Sequence, residues 1–316
     1  MSSTGQPEIE LPDLSELNRV EWAEALRSYA EASGDYMELD ADHHVIQVGN
    51  GDRLLVTFES AHDVRNSADL ALPFGLTVAQ SLDASVMIFL CQRPTWFRAQ
   101  PVYDFFDTLT DEGVFDDFDH VLFYGAGLCG YAAAAFSVAA PGSDVFVISP
   151  HATLDPRMTE WDPRFTAMRK RSFTDRYGYA PDMVEAARHT LLLYNPDDDL
   201  DAMHSALFSG PHVTRFRCRY LDNDIVSPLE EMRILRDVIG LGLSKDLSLK
   251  TFAELYRRRR DYGPYLRKLL IEVEDMDRPK LTTWLAESVL ARRNMPRMRR
   301  ALKRISSDDK KPDAAE

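Results

Sequence analysis

Short apolar runs alternate along this chain with segments whose apolar residues recur every three or four positions. Runs of five to eight residues, rich in β-branched and aromatic side chains, predict buried strands. Seven such runs occur: HVIQV (44–48), RLLVTFES (53–60), SVMIFLC (85–91), HVLFYG (120–125), DVFVIS (144–149), TLLLYN (190–195) and VTRFRCRY (213–220). Because the glycine-rich turn 49–51 joins the first two runs, they predict a β-hairpin.

Helical patterns fill most of the intervals between these runs. They cover residues 15–33, 101–113, 128–140, about 199–208 and about 227–239. Regular alternation of strand and helix predicts an α/β fold with a doubly wound, mostly parallel sheet. Residues 156–187 show no strand pattern and are rich in aromatic side chains, so we expect a helical lid inserted between two strands.

The last quarter of the chain has only helical patterns. Residues 246–305 contain four dissimilar ones, which predict a helical appendage rather than a repeat array. The polar ends, residues 1–15 and 306–316, are predicted to be disordered. The α/β domain is therefore expected to span residues 16–245.

Composition and cysteine usage limit the class of protein. The chain has 316 residues, 45% hydrophobic and 28% charged, as a globular protein does. It has no run of eighteen apolar residues and no apolar signal core near its start, so neither a membrane span nor secretion is expected. Three cysteines without a CxxC pair suit the cytoplasm and predict no metal site.

The net charge of −14 is unevenly distributed. Residues 246–316 carry 18 Lys and Arg against 12 Asp and Glu, whereas the rest carries 19 against 39. A basic segment can bind nucleic acid. The acidic remainder would repel a phosphate backbone at long range, so nucleic acid is not the expected partner. Three alternatives remain for the basic helices. They could bind a protein partner, dock on the chain's own acidic body, or simply face solvent.

The turn after the fourth run offers two different chemistries. Gly125, Gly127 and Gly130 form G-x-G-x-x-G between a strand and a helix, as in dinucleotide-binding folds. NAD(P) or FAD would then be the cofactor. The acidic residue expected about twenty residues later is missing, because the next strand ends at Ser149-Pro150-His151. Three predicted strands also precede this one, whereas a dinucleotide turn usually follows the first.

The second interpretation is a nucleophile elbow. Residues 124–133 read YGAGLCGYAA. They resemble the YG-x-S-M-G-G-Y-A-A elbow of a branch of the α/β-hydrolase superfamily, and the order of elements over residues 44–240 is similar to that fold as well. The resemblance implies an α/β-hydrolase-like protein without a bound cofactor. Aligned without a gap, the nucleophilic serine falls on Gly127.

Glycine at position 127 removes the group that would attack a carbonyl. An elbow residue has a strained backbone that costs a non-glycine residue about 1–3 kcal/mol, and glycine relieves this strain. We therefore expect a turn that is kept for packing after its chemistry was lost. Cys129 is an alternative nucleophile, because the positive end of a helix favours a thiolate. A small buried residue is the other interpretation of Cys129.

The partners of a triad are expected after late strands, in the order nucleophile, acid, base. Asp197, Asp198 and Asp199 follow the strand 190–195 and could supply the acid, or Asp199 could cap the next helix. After the last strand there is Asp224 but no histidine. His151 follows a strand at the ligand-binding edge, although its place in the chain order is wrong for a triad.

These residues predict a pocket rather than a working triad. Its expected members are Ser60, Gly125, Gly127, Leu128, Gly130 and Asp224, and the weaker catalytic candidates are Cys129, Asp198 and His151. The lid above it carries cations that could hold an anion or simply face solvent, among them Arg164, Arg169, Lys170, Arg171 and Arg176. The expected function is binding of a small anionic or acyl molecule, with a cysteine hydrolase or acyltransferase as the alternative enzyme.

One short stretch is faintly similar to a motif of another family. The stretch GLCGY is faintly similar to the Glu-Cys-Gly-like motif of phosphoadenosine phosphosulfate reductases. That chemistry needs a thiol near the C-terminus and a phosphate-binding loop. The last cysteine here is Cys218, inside a predicted strand, so the residues do not support this resemblance.

Overall fold

One eight-stranded sheet crosses the part of the chain that the computed structural model describes, residues 11–82, 84–221 and 224–308. The strands lie in the order β1-β2-β4-β3-β5-β6-β7-β8. β2 pairs antiparallel with both β1 and β4, and all other pairs are parallel. Their bounds are β1 Gly34–Asp40, β2 His43–Val48, β3 Arg53–Ser60, β4 Ser85–Cys91, β5 His120–Ala126, β6 Asp144–Ile148, β7 His189–Tyr194 and β8 Val213–Arg217.

This strand order is that of the α/β-hydrolase fold. β2 runs antiparallel to the other strands, and β4 lies between β2 and β3. From β3 the sheet continues in parallel, in chain order, through β5, β6, β7 and β8. Helices flank both faces of the sheet. The predicted fold class, a doubly wound, mostly parallel sheet of the α/β-hydrolase type, is therefore confirmed.

The predicted hairpin of β2 and β3 is wrong. The chain does reverse at 49–51, but β4 lies between the two strands and pairs with both. All seven residues of β4 are buried, so it gains most from a place inside the sheet. The real hairpin joins β1 to β2. Sequence patterns missed β1, GDYMELD, because this partly exposed edge strand has no apolar alternation.

Fourteen α-helices lie within the described residues. They are α1 Arg19–Ser33, α2 Ala61–Ser67, α3 Phe74–Leu82, α4 Gln100–Asp111, α5 Leu128–Phe136, α6 Pro156–Thr159, α7 Ala180–Met183, α8 Asp199–Leu207, α9 Val226–Glu231, α10 Leu235–Leu243, α11 Leu249–Leu255, α12 Gly263–Asp275, α13 Pro279–Leu290 and α14 Pro296–Asp308. Only the short α6 and α7, with two single 3-10 segments, occur in the lid between β6 and β7. None of the fourteen has both the length and the apolar content of a membrane span.

Apolar side chains form three clusters. Two large ones cover the two faces of the sheet, and Phe252 and Tyr256 join α11 to one of them. The third is small and lies within α12, α13 and α14, around Leu266, Leu270 and Met298. The last three helices therefore have a core of their own.

The predicted disordered ends extend too far inward. Leu14 is buried and its N–H donates to the carbonyl of Leu70 at 3.0 Å, so residues 11–15 pack against the body. Residues 306–308 continue α14. The rest of both predicted tails, 1–10 and 309–316, lies outside the described residues.

Candidate functional site

The turn after β5 has the backbone of an elbow. Gly127 has φ 56° and ψ −120°, a conformation that strains any residue with a Cβ atom. Its N–H donates to the carbonyl of Ile148 at 2.9 Å, and its own carbonyl accepts the N–H of Tyr131 at 3.0 Å as α5 begins. Residue 127 therefore has the strained backbone of an elbow, and glycine occupies this position.

The neighbouring glycines allow strand and helix to approach closely. A Cβ atom on Gly125 would lie 2.3 Å from the carbonyl oxygen of Cys129, and one on Gly130 would lie 3.2 to 3.3 Å from Gly125, Ile148 and Pro150. Both contacts involve backbone atoms, which cannot rotate away. Gly125 and Gly130 are therefore packing residues of the turn.

Gly127 differs from both of its neighbours. Apart from its chain neighbours, no heavy atom of the described residues lies within 4 Å of a Cβ atom placed on Gly127. Gly127 and Leu128, the first residue of α5, are partly exposed at the edge of the sheet. A side chain is therefore absent at the elbow although there is room for one.

Cys129 has surroundings that oppose a thiolate. It is only 5% exposed. A hydrogen bond with Cys91 and burial together raise the pKa of the Cys129 thiol well above its usual value. Because the thiolate is the nucleophile, these surroundings do not favour the predicted cysteine chemistry.

The aspartates after β7 are engaged in local structure. Asp198 accepts the N–H of Asp201 at 3.0 Å and so caps α8, the role that the sequence had suggested for Asp199. The N–H of Asp197 donates to the side chain of Asn195 at 3.1 Å. The structure records no hydrogen bond between these carboxylates and a histidine among the described residues.

His151 lies buried beneath the lid. The indole N–H of Trp96 donates to Nδ1 of His151 at 3.1 Å, which places the proton of the neutral ring on Nε2. Burial, reinforced by His204 and Arg164, lowers the pKa of His151 well below its usual value. The ring also packs against Phe165 and His204. His151 is therefore a neutral core histidine, and no carboxylate among the described residues bonds to it.

These neutral histidines predict a pH dependence of stability. Burial is the main cause that lowers the pKa of five of them: His43, His44, His151, His189 and His204. A folded-state pKa below the unfolded value gives stability that is present above about pH 6.5 and is lost as the pH falls below it. Glu59 and Glu230, whose pKa burial raises, act in the opposite sense.

Replacing His151 by asparagine should therefore flatten the pH profile. Between pH 6.5 and 5.5 we expect the wild type to lose about 1 kcal/mol more unfolding free energy than His151→Asn. Urea unfolding at the two pH values measures this difference. The matched control is His62→Asn, which changes an exposed histidine and should retain the wild-type slope. Equal slopes for all three proteins would contradict the buried, neutral state of His151.

Three further predicted pocket residues lie in local turns. Ser60 is half-buried and its hydroxyl accepts the N–H of Asp63 at 3.4 Å, at the start of α2. Asp224 is exposed and accepts the N–H of Ser227 at 3.2 Å. Leu128 begins α5 beside the elbow. Ser60 is therefore the last residue of β3 and Leu128 is the first residue of the helix after β5, whereas Asp224 lies before the helix that follows β8.

No histidine follows β8 in the sequence given. Its last histidine, His212, directly precedes that strand. Among the described residues, no group of three or more His, Cys, Asp or Glu is arranged to hold a metal ion.

A different triplet has the connectivity of a triad but is closed to solvent. Nε2 of His43 lies 2.6 Å from the hydroxyl of Thr95, and Nδ1 lies 2.8 Å from Asp40. His43 and Thr95 are each 2% exposed. The Thr95 hydroxyl also accepts the N–H of Phe97 at 3.2 Å. This network joins β2 to the loop after β4, and it lacks the open face that a nucleophile needs.

The lid arginines bind protein groups. Arg169 donates to three carbonyls of the lid, Arg171 donates to the carbonyl of Arg98, and Arg176 pairs with Asp107. Arg164 pairs with two aspartates. Lys170 is exposed. The four arginines therefore hold the lid in place, which leaves the predicted anion site with little of its charge.

A buried network that no sequence pattern indicates lies under the lid. The N–H of Ala152 donates to Nδ1 of His204 at 3.1 Å, so Nε2 carries the proton and donates to Asp162, also at 3.1 Å. Arg164 bridges Asp162 and Asp201 at 2.8 Å from each. Burial acts to raise the pKa of Asp162, but the bonds from Arg164 and His204 outweigh it and lower the pKa to about 2.

Comparison with known proteins gives structural similarity alone. No protein-family model matches the chain, and no curated protein matches it. Similar solved structures include a Glycosylation Associate Protein complex from Streptococcus agalactiae (14% identity, TM-score 0.45, 66% of this chain and 46% of that chain), carboxyl esterase 2 from Tuber melanosporum (13%, 0.46, 68% and 86%) and a putative esterase from Staphylococcus aureus (13%, 0.44, 76% and 98%).

The extent of these matches varies. This chain spans less than half the length of the chain from Streptococcus agalactiae and most of the length of the two esterases. Structural similarity with these TM-scores and sequence identities concerns the path of the backbone. It identifies neither a family nor a function.

Proposed function

We propose that this chain is an α/β-hydrolase-like binding protein, which holds a small anionic or acyl molecule beside Gly127 without hydrolysing it. The observation that carries the proposal is the elbow itself. Gly127 has the strained backbone of a nucleophile position, an open space where the side chain would project, and no side chain to react. The absence of any histidine after residue 212 removes the base from its usual place as well.

Local polarity supports an anionic or carbonyl-bearing ligand. The N–H groups of the first turn of α5 have no intrahelical acceptor, and they lie at the positive end of the helix dipole. Ser149 follows β6, whose last residue Ile148 accepts the N–H of Gly127. The Ser149 hydroxyl oxygen is buried and has no hydrogen-bond partner among the described residues. A ligand oxygen placed beside Gly127 would lie at the N-terminal end of α5, where these N–H groups are.

Ligand-induced stabilisation tests this proposal. Acetate, butyrate and acetyl phosphate are titrated against the protein while its melting temperature is followed, with NAD, NADP and FAD in parallel. A binding ligand at a hundredfold excess over its Kd should stabilise the fold by about 2.7 kcal/mol. We expect a shift with at least one anionic or acyl probe and none with the dinucleotides.

Two leucine variants locate the bound molecule. Gly127→Leu fills the open space at the elbow and should abolish the shift. Gly142→Leu is the matched control, because Gly142 also has a positive φ of 84° and open space for a Cβ atom, but it precedes β6 at the opposite edge of the sheet. The proposal would be contradicted if an anionic or acyl probe still raised the melting temperature of Gly127→Leu. It would also be contradicted if a dinucleotide raised the melting temperature of the wild type and Gly127→Leu abolished that rise.

A further inference from the structure

A groove lined by cations runs between α12 and α14 in the C-terminal helices. Two adjoining cavities of about 360 and 520 Å³ form it, and Arg267, Arg297 and Arg300 line both. Arg293 lies at one end, and Lys303 and Arg304 lie at the other. Glu274, the one acidic residue among the described residues that line it, pairs with Arg304. The groove therefore concentrates part of the excess positive charge of the C-terminal segment.

The three central arginines are not used by the fold. Within the described residues, Arg267, Arg297 and Arg300 form no hydrogen bond and no ion pair, and all three are exposed. They differ in this from the lid arginines, which protein groups hold. Unpaired guanidinium groups that face one groove are suited to carboxylate or phosphate groups.

Apolar side chains lie between these cations. Leu270 and Ile271 of α12 line the larger cavity, and Met295 lines the smaller one. Ile271 is 45% exposed. A ligand that fills the groove would therefore cover hydrophobic surface as well as pair with charge, which distinguishes it from a simple phosphate ion.

The length of the groove indicates a polymer segment. It follows α14 from Pro296 to Arg304, which corresponds to roughly 12 Å at 1.5 Å per residue, and Arg293 extends it beyond the start of that helix. Slightly more than two turns of a bound helix have this length, enough for side chains at i to i+7. Nucleic acid fits less well, because its backbone would not use the apolar floor and the chain as a whole carries −14 charge.

We propose that this groove binds an acidic amphipathic helix of a partner protein. Apolar side chains spaced at i, i+3, i+4 and i+7 would contact Leu270 and Ile271, and flanking carboxylates would pair with Arg267, Arg297 and Arg300. This is the helix-in-groove mode of peptide recognition. The proposal is independent of the ligand beside Gly127, since the last three helices have a hydrophobic core of their own.

Fluorescence anisotropy with the full chain tests the proposal. The probe is a labelled sixteen-residue peptide with leucine at the i, i+3, i+4 and i+7 positions and glutamate elsewhere. A peptide of the same composition with scrambled leucine spacing and a labelled sixteen-nucleotide single strand are the comparison probes. The groove variant is Arg267→Glu/Arg297→Glu/Arg300→Glu. The matched control, Arg257→Glu/Lys280→Glu/Arg299→Glu, reverses three exposed charges that do not line the groove.

We expect the patterned peptide to bind the wild type at least tenfold more tightly than the groove variant, and the control variant to differ from the wild type by less than threefold. Raising the salt concentration should weaken binding. Circular dichroism of both variants checks that they fold. The proposal would be overturned if both variants lost affinity equally, if the scrambled peptide or the oligonucleotide bound as tightly as the patterned one, or if no peptide bound at all.

Discussion

Replacing Gly125 by alanine is expected to destabilise the protein by at least about 3 kcal/mol, the upper range for overpacked sites. The new Cβ atom would lie 2.3 Å from the carbonyl oxygen and 2.5 Å from the carbonyl carbon of Cys129. Both belong to the backbone of α5, so β5 and α5 must separate to accommodate it. Urea unfolding measures the loss. Failure of Gly125→Ala to accumulate as folded protein would agree with the same expectation.

Gly127→Ala is the comparison that separates space from strain. Its Cβ atom has no atom of the described residues beyond its chain neighbours within 4 Å, but the φ of 56° is unfavourable for alanine. We expect a loss of about 1–3 kcal/mol, the cost of a sparsely populated backbone conformation. Gly142→Ala, with open space and a φ of 84°, should lose a similar amount. A Gly127→Ala variant as unstable as Gly125→Ala would show that the space beside the elbow is filled.

Removing the carboxylate of Asp162 is expected to cost about 3–5 kcal/mol, because it leaves buried charged and polar groups without a partner. Asp162 is 3% exposed and receives bonds from Arg164 and from Nε2 of His204. In Asp162→Ala, the His204 ring would lose the acceptor that fixes its tautomer. Arg164 would retain only Asp201. The lid should then detach first, which limited proteolysis between β6 and β7 would detect before global unfolding.

Two further variants show whether the network is responsible for this loss. Glu160→Ala removes an exposed carboxylate from the same lid and should change the unfolding free energy by less than about 0.5 kcal/mol. Asp162→Asn keeps an acceptor for His204 but loses the charge beside Arg164, so its stability should lie between the two alanine variants. If Asp162→Ala were no less stable than Glu160→Ala, the buried network would have no structural role.

The sequence predicted the sheet well where strands are buried and poorly where they are not. β4, β5 and β6 have continuous apolar runs, and their pattern is visible without a structure. β1 is a polar edge strand stabilised by pairing with β2, so its sequence has no comparable signal. The hairpin error has a related cause, because a turn signal shows that the chain reverses but not whether another strand will enter between the two arms.

The candidate site was predictable where it depends on local backbone chemistry. The resemblance of residues 124–133 to an elbow led us to expect a strained backbone at Gly127, and its φ of 56° and ψ of −120° agree with this expectation. The network of His204 and Asp162 was not predictable, because 42 residues separate the two and each has an ordinary loop or helix pattern around it. The lid arginines were misjudged for the same reason, since charge in a sequence does not reveal which carbonyl or carboxylate it will meet.

The role of His151 and Cys129 also depends on burial that the sequence does not display. Both lie near the edge where ligands of such sheets collect. The indole of Trp96 occupies one nitrogen of His151, and Cys91 lies beside the Cys129 thiol. Residue type and chain position suggested reactivity in each case, whereas the neighbours favour neutral, packed side chains.

The central claim is that this elbow has kept its geometry without a nucleophile, and hydrolysis of an activated ester tests it most directly. We expect p-nitrophenyl acetate and butyrate to be hydrolysed by the wild type no faster than by the heat-denatured protein, with no initial burst and no acyl adduct in the intact mass. Cys129→Ala and Thr95→Val should give the same rates as the wild type. Saturable turnover by the folded protein that is lost in either variant would contradict the claim and identify the group that attacks the ester.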